Sequence, residues 1–309
     1  MNDSKKMQEW IASDLPQVTK QLENNLVSPQ SDSIEISKEI LIEGRKKLYE
    51  ILENIREVIF YETEKQENIF AELCDNKLAN TLKKISGNLY EQILGFLKFH
   101  RSKSCETSCS CEEKAFSATT ALIESLPEIR QDLIFDIKSG FDGDPASKSY
   151  QEIILSYPYI EAVMIYRVAH RLYELKVPLI PRIMTEWAHS KTGIDIHPGA
   201  VIGKGFFIDH GTGVVIGETC VIGKNVTIYH GVTLGAFSPY DRENNRFQGK
   251  KRHPNVEDDV IIYAGAVILG GDTVIGKGSV IGGNALITKS VKPNSKVYKK
   301  NEMTVFKVV

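Results

Sequence analysis

The sequence predicts an α+β protein in which a long α-helical N-terminal part is followed by a parallel β-helix of hexapeptide repeats. Three observations carry that prediction. An aliphatic residue returns every sixth position at Ile196, Ile202 and Ile208, at Ile216, Ile222, Ile228 and Leu234, at Val256, Ile262 and Ile268, and at Ile275, Ile281 and Ile287. Ahead of that stretch, apolar residues recur at three- and four-residue spacing, as on the buried face of an amphipathic helix. The change of period is abrupt and falls near Ser190. No single hexad can bury its own aliphatic side chain. Three short strands make one triangular coil, and stacked coils bury the column, each Ile or Val contributing roughly 1.5–3 kcal/mol.

Length and composition set outer bounds. The 309 residues suffice for two domains, and 42% hydrophobic with 25% charged residues is ordinary for a soluble globular protein. A net charge of -2 gives no reason to expect a nucleic acid or an anionic membrane as partner. The start, Met1 to Lys6, leads into polar helical sequence, and no apolar run approaches the ~18 residues of a membrane span. A cytoplasmic protein is expected. Its five cysteines are odd in number and unevenly placed, which fits a reducing compartment. Cys105, Cys109 and Cys111 cluster near His100, but their spacing lacks the paired knuckles of familiar zinc sites, so no metal is expected.

The helical part, residues 1–189, is read in pieces. Asp32 and Ser33 are candidate caps for a helix whose stripe is Ile40, Leu41, Leu48, Ile51, Leu52, Ile55, Val58 and Ile59. A second helix follows Glu67, with Ile69, Leu73, Leu78, Leu82, Ile85, Leu89, Ile93, Leu94 and Leu97 on one broad face. These first hundred residues bury their stripes on one another or on a partner subunit, and are expected to serve oligomerisation. Segment 101–115 reads as a loop. Ser125 with Glu128 suggests a capping box, with Pro127 in the first turn, opening a helix to about Ser139. After a turn at Phe141 to Pro145, helices are expected over Glu152–Leu155, Tyr159–Leu175 and Leu179–Ala188, packed within 115–189 against the repeat domain.

The repeat domain spans 190–295, ahead of a tail at 296–309, and it is interrupted twice. Between Ile208 and Ile216 the spacing slips from six to eight, across Asp209-His210-Gly211-Thr212-Gly213. A polar excursion at 237–251 then ends in Arg252-His253-Pro254. Loops that leave a rigid solenoid tend to serve binding. Counting hexads places His230 one coil above His210, and puts Asp195 nearly one coil before it. A carboxylate accepting the Nδ1 proton would leave the other nitrogen of His210 free as a base, typically worth on the order of 10²–10⁴ in rate. Asp195 and Asp209 could equally satisfy turn amides, and His230 could simply pack on His210. His197, His170 and His189 read as structural or surface residues.

These motifs carry a specific resemblance. Asp195-Ile-His-Pro-Gly-Ala, then Phe207 to Thr219, then Val232-Thr-Leu-Gly235, Arg252-His253-Pro254, and Asp144-Pro145-Ala146 ahead of Tyr166-Arg167-Val-Ala-His170, together resemble serine O-acetyltransferase over about residues 120 to 295. The resemblance implies a left-handed β-helix that trimerises, with active sites between neighbouring prisms. It implies transfer of acetyl from acetyl-CoA to the L-serine hydroxyl by direct attack, without a covalent enzyme intermediate or a metal. His210 would be the general base and Asp195 would orient it, with His253 as a second imidazole beside the substrate. Asp144 and Asp209 would bind the serine ammonium, Arg252 its carboxylate, and Glu218 would support the site. Gly235 and Ala236, with Ala264, Gly265 and Gly283 on later coils, would run along CoA, where small residues let a ligand approach the backbone. L-cysteine would compete as feedback inhibitor. A homotrimer or a dimer of trimers is implied, and a complex with O-acetylserine sulfhydrylase is left open, because the chain ends in Val309 rather than the Ile found in much of the family.

The sequence departs from the family pattern at Ala236, in the longer excursion, and at Tyr263, where Gly is frequent and where an aromatic ring would narrow the CoA groove. Two other readings share the repeat. Another hexapeptide-repeat O-acyltransferase would act on a sugar or homoserine. A zinc hydratase of the γ-carbonic-anhydrase type would need three histidines about a metal, whereas here the imidazoles travel with Arg252 and carboxylates.

Overall fold

A computed structural model describes residues 7, 10–26, 43–61, 70–101, 110–237 and 250–298. The expected caps Asp32 and Ser33, Cys105 and Cys109, most of the excursion, and Val309 lie outside the described residues. The chain divides between Gly44 and Arg45 into two units, of which the first contributes helix α1, Leu15–Leu26.

In the second unit α2, Arg45–Ile59, buries Leu48, Ile51, Leu52, Ile55 and Ile59, a three/four-spaced stripe. It packs on α3, Phe70–Arg101, whose Ile85, Leu89, Ile93 and Phe96 are buried in turn. The helix that follows corrects the sequence reading. Helix α4, Cys111–Gly143, starts at a capping box between Ser110 and Glu113, so residues 111–115 are helical rather than loop, and Ser125 and Glu128 open nothing. Ser125 instead donates its hydroxyl to the Leu122 carbonyl at 2.7 Å, inside the helix. Two effects favour the earlier start. Glu112 and Glu113 complement the helix dipole, and a buried stripe of Ala115, Ala118, Leu122, Leu126, Ile129, Leu133 and Ile137 continues past Pro127, outweighing the one backbone hydrogen bond that proline removes.

Three further helices follow close to their expected places: α5, Tyr150–Ser156; α6, Pro158–Glu174; and α7, Ile180–Thr192. Gly193 ends α7 in the left-handed conformation at φ 71°, its amide donating to His189. The helical period stops there and the solenoid begins. Among the described residues no helix is long and apolar enough to cross a membrane.

Strands β1, Asp195–Ile196, to β14, Lys296–Val297, are two or three residues long and pair in parallel. They form three sheets, ordered β1-β4-β7-β10-β13, β11-β8-β5-β2 and β14-β12-β9-β6-β3, here sheets A, B and C. The chain passes from A to B to C and back to A in each of about five turns. Every one of the hexad aliphatics, from Ile196 to Ile287, is at most 8% exposed. A second inward column was not anticipated. The residue two before each hexad aliphatic also faces in, as at Ala200, Val214, Cys220, Val226, Val232, Val260 and Ala266, all 0% exposed. Cys220 is therefore a small apolar filler of the prism.

Candidate functional site

The slip in the repeat is a tight reversal. Gly211 donates its amide to the Asp209 carbonyl at 2.7 Å, with His210 between them at φ 58°. This throws the imidazole outward, 74% exposed, at the corner where sheet C passes into sheet A. Register places His230 directly above it, because Asp209 aligns with Tyr229, and the two rings meet edge-on at 5.8 Å. The nearest carboxylate to His210 is Asp209, Oδ1 to Nε2 3.7 Å.

Asp144 reaches the same corner from the helical part. It is the C-cap of α4, and two glycines let the end of that helix approach its neighbours. A Cβ on Gly140 would lie 2.0 Å from the Tyr159 hydroxyl, and one on Gly143 would lie 2.8 Å from the Phe207 ring of β3, Phe207–Asp209. Deeper in, buried Asp136 of α4 takes two hydrogen bonds from Arg167 of α6 and one from the Phe206 amide at 2.8 Å. The Arg167 guanidinium also donates to the Gly203 carbonyl at 3.0 Å, so the helices are clamped to the first coil just before β3. At the tip, the Asp144 carboxylate accepts the Tyr157 hydroxyl at 2.5 Å and the Ala146 amide at 2.8 Å. Those two donors, with a smaller contribution from the His210 charge, hold its carboxyl below the usual carboxylate range. The same bond, with some burial, pushes Tyr157 up to about 12. Sequence reading missed Tyr157, because nothing local marks a partner 13 residues away.

Higher on this corner stand the small residues expected to face CoA. The Gly265 amide donates to the His230 carbonyl and the Asn284 amide to the Ala264 carbonyl, which stacks Ala264, Gly265 and Gly283 above the histidines. Tyr263 stacks on Tyr229 at 5.0 Å and is 41% exposed, lining this edge of the column.

The remaining residues occupy the other end of sheet A, where each coil turns into sheet B. Arg252 donates to Glu218 at 2.5 Å, and Tyr173 donates to the other Glu218 oxygen at 2.9 Å. Burial raises the Glu218 pKa, but these bonds and the Arg252 charge outweigh it and leave the carboxyl below its ordinary range. His253 is buried against Gly217, and its Nδ1 lies 3.1 Å from the Thr219 amide and 2.9 Å from the Thr219 hydroxyl. Lys251 caps the Thr219 carbonyl at 2.5 Å. Gly235 and Ala236 leave β7, Thr233–Gly235, at this corner, and the Gly235 carbonyl accepts the Gly270 amide.

Asp195 lies one coil below the His210 corner, its amide donating to the Val214 carbonyl at 2.9 Å. It lies on β1, paired with Val215, and its carboxylate makes no hydrogen bond or ion pair with His210 among the described residues. It falls instead within 4.8 Å of Glu186 and His189 of α7, the one group of metal-ligand type among the described residues. His197 accepts the Gly199 amide at 3.0 Å and so stabilises its own turn.

No family model matches the chain. A protein of Synechococcus elongatus named "Serine acetyltransferase, plasmid" is 46% identical over 256 residues, covering 82% of this chain and 80% of that protein. Serine acetyltransferase isoform 3 of Entamoeba histolytica, solved in complex with cysteine, superposes with a TM-score of 0.69 at 37% identity over 84% of each chain. The Neisseria gonorrhoeae serine acetyltransferase, solved in complex with serine, gives 0.54 at 27% identity over 82% of this chain and 95% of that one. An α-helical part clamped to a solenoid whose irregular corners carry the acids, imidazoles and guanidinium, together with a 46% identical relative matched over most of its length, places the chain in the serine acetyltransferase family, as an acyltransferase of that class.

Proposed function

We propose that the chain transfers the acetyl group of acetyl-CoA to the hydroxyl of L-serine, at sites built between neighbouring copies. Division of the charged residues between two corners carries this reading. An amino acid holds its ammonium and carboxylate one carbon apart, so the groups that bind them must converge. Asp144 and Asp209 suit the ammonium and Arg252 the carboxylate, yet they stand at opposite ends of sheet A. A trimer that sets the Arg252 corner of one prism against the His210 corner of the next brings them together.

At such a site His210 takes the proton from the serine hydroxyl as its oxygen bonds to the thioester carbonyl carbon. The carbonyl oxygen gains the negative charge. On collapse the C–S bond breaks, the acetyl stays on serine, and the CoA sulfur leaves with the proton returned by His210. Asp195 is the residue assigned to orient His210, a role that requires its carboxylate to turn from His189 towards the slip. Ala264, Gly265 and Gly283 offer an open column for pantetheine beside His210, with Gly235 and Ala236 at the partner corner. L-cysteine, which differs from serine only at the side-chain atom, would occupy the same amino-acid groups and inhibit. The cysteine and serine complexes of the relatives support both ligands.

Release of CoA thiol on mixing the protein with acetyl-CoA and L-serine tests this. Turnover is expected with serine, not with sugars or homoserine, and added L-cysteine should suppress it. His210→Ala should lower kcat by about 10²–10⁴ without changing the oligomer. Near-normal turnover in that variant would remove His210 as the base.

A further inference from the structure

We propose that Thr219 locks His253 as the tautomer protonated on Nε2, so that His253 serves acetyl transfer as a hydrogen-bond donor to a substrate oxygen and not as a second base. The inference rests on the acetyl-transfer reading for its chemistry, but the lock itself follows from hydrogen-bond accounting. The Thr219 hydroxyl oxygen accepts the amides of Arg252 and of His253, each at 3.0 Å. Both its lone pairs are thereby used, and its own proton has one place to go, the His253 Nδ1 at 2.9 Å. The Thr219 amide, 3.1 Å from the same nitrogen, can only donate. Two donors face Nδ1, so Nδ1 presents its lone pair, and a neutral imidazole then carries its proton on Nε2.

The balance of groups around the ring opposes a second proton at Nδ1. The side chain is 8% exposed and lies on Gly217, where a Cβ would fall 2.2 Å from Nε2. Burial first, then the charges of Arg252, Lys251 and His197, outweigh the opposite pull of Glu218 and push the imidazole down to about 4. Among the described residues Nε2 has no hydrogen-bond partner. Nε2 is not sealed off from solvent, so its N–H is open to a substrate oxygen. Acetyl transfer supplies one in the thioester oxygen, which becomes negative as serine attacks. Stabilising that oxygen moves no proton through His253. His210, exposed and free of such a lock, is left to carry the proton of the serine hydroxyl.

Nitrogen NMR of protein labelled with ¹⁵N-histidine reads the lock directly, the His253 signal being assigned by its loss in His253→Gln. The expected result is one tautomer, protonated on Nε2, with no titration from about pH 5 to about pH 8. Thr219→Val, which loses the hydroxyl but keeps the amide donor, should weaken the lock enough to admit some of the tautomer protonated on Nδ1, and Thr219→Ser should keep it whole. A ring protonated on Nδ1, or one titrating within that range, overturns the lock. For the donor role, His253→Gln, which retains an N–H near Nε2, should keep kcat at least about tenfold above His253→Ala, since loss of one such donor costs about 10²–10³. Equal kcat in the two variants overturns it. A wild-type protein that releases no thiol with serine would refute the proposed reaction, while the nitrogen spectrum would still decide the tautomer.

Discussion

His210 is held where ordinary packing would place a glycine or asparagine. A left-handed conformation costs a non-glycine residue about 1–2 kcal/mol, and its imidazole is 74% exposed, so burial does not repay that cost. Such strain is retained where a side chain has work to do. Asp144 is held by a different device, the Tyr157 hydroxyl at 2.5 Å. Tyr157→Phe removes that donor and frees the carboxylate to rotate. The KM for L-serine should rise about tenfold with kcat little changed, the signature of lost ground-state binding to a charged group. Steady-state kinetics checks this, and a fall in kcat at constant KM would contradict it. Asp209, His210, Arg252 and His253 were legible in the sequence because they flank breaks in a strict period. Tyr157 and Thr219 were not legible in their roles, because their partners lie 13 and 34 residues away and only the folded chain shows where a hydroxyl points.

Among the elements, α4 matters most to the site, because its C-terminus presents Asp144 and its middle carries Asp136. The Asp136–Arg167 pair is 0% and 7% exposed and joins α4 and α6 to the first coil. Asp136→Asn would leave the buried Arg167 charge with only the longer pairing to Asp132, at 3.7 Å, and without its two short hydrogen bonds to a carboxylate. Such breaks cost about 3–5 kcal/mol. Thermal unfolding should show a Tm lowered by several degrees, and an unchanged Tm would mean the clamp carries little of the fold. The inward positions of β1 to β13 were readable, since one aliphatic per six positions admits one inward-facing register, whereas β14, Lys296–Val297, pairs with β12 inside the stretch expected to be tail because no hexad aliphatic announces it. The start of α4 was misread because Ser125, Pro127 and Glu128 satisfy the local signature of a helix start, and the stripe running through them could be weighed only once its buried partners were known.

Across the whole molecule, the two interruptions of the repeat fall at the two ends of sheet A, and one chain cannot close them on a single amino acid. The proposed site therefore belongs to an assembly, with the acids and His210 from one copy and Arg252 and His253 from the next. Co-expression of His210→Ala and Arg252→Ala tests that arrangement directly, because each variant is expected to be inactive alone. In mixed trimers one site in four pairs an intact His210 corner with an intact Arg252 corner, so thiol release with L-serine should recover to about a quarter of the wild-type rate. If the mixed protein stays as inactive as its parents although the subunits have exchanged, the two corners do not form a shared site.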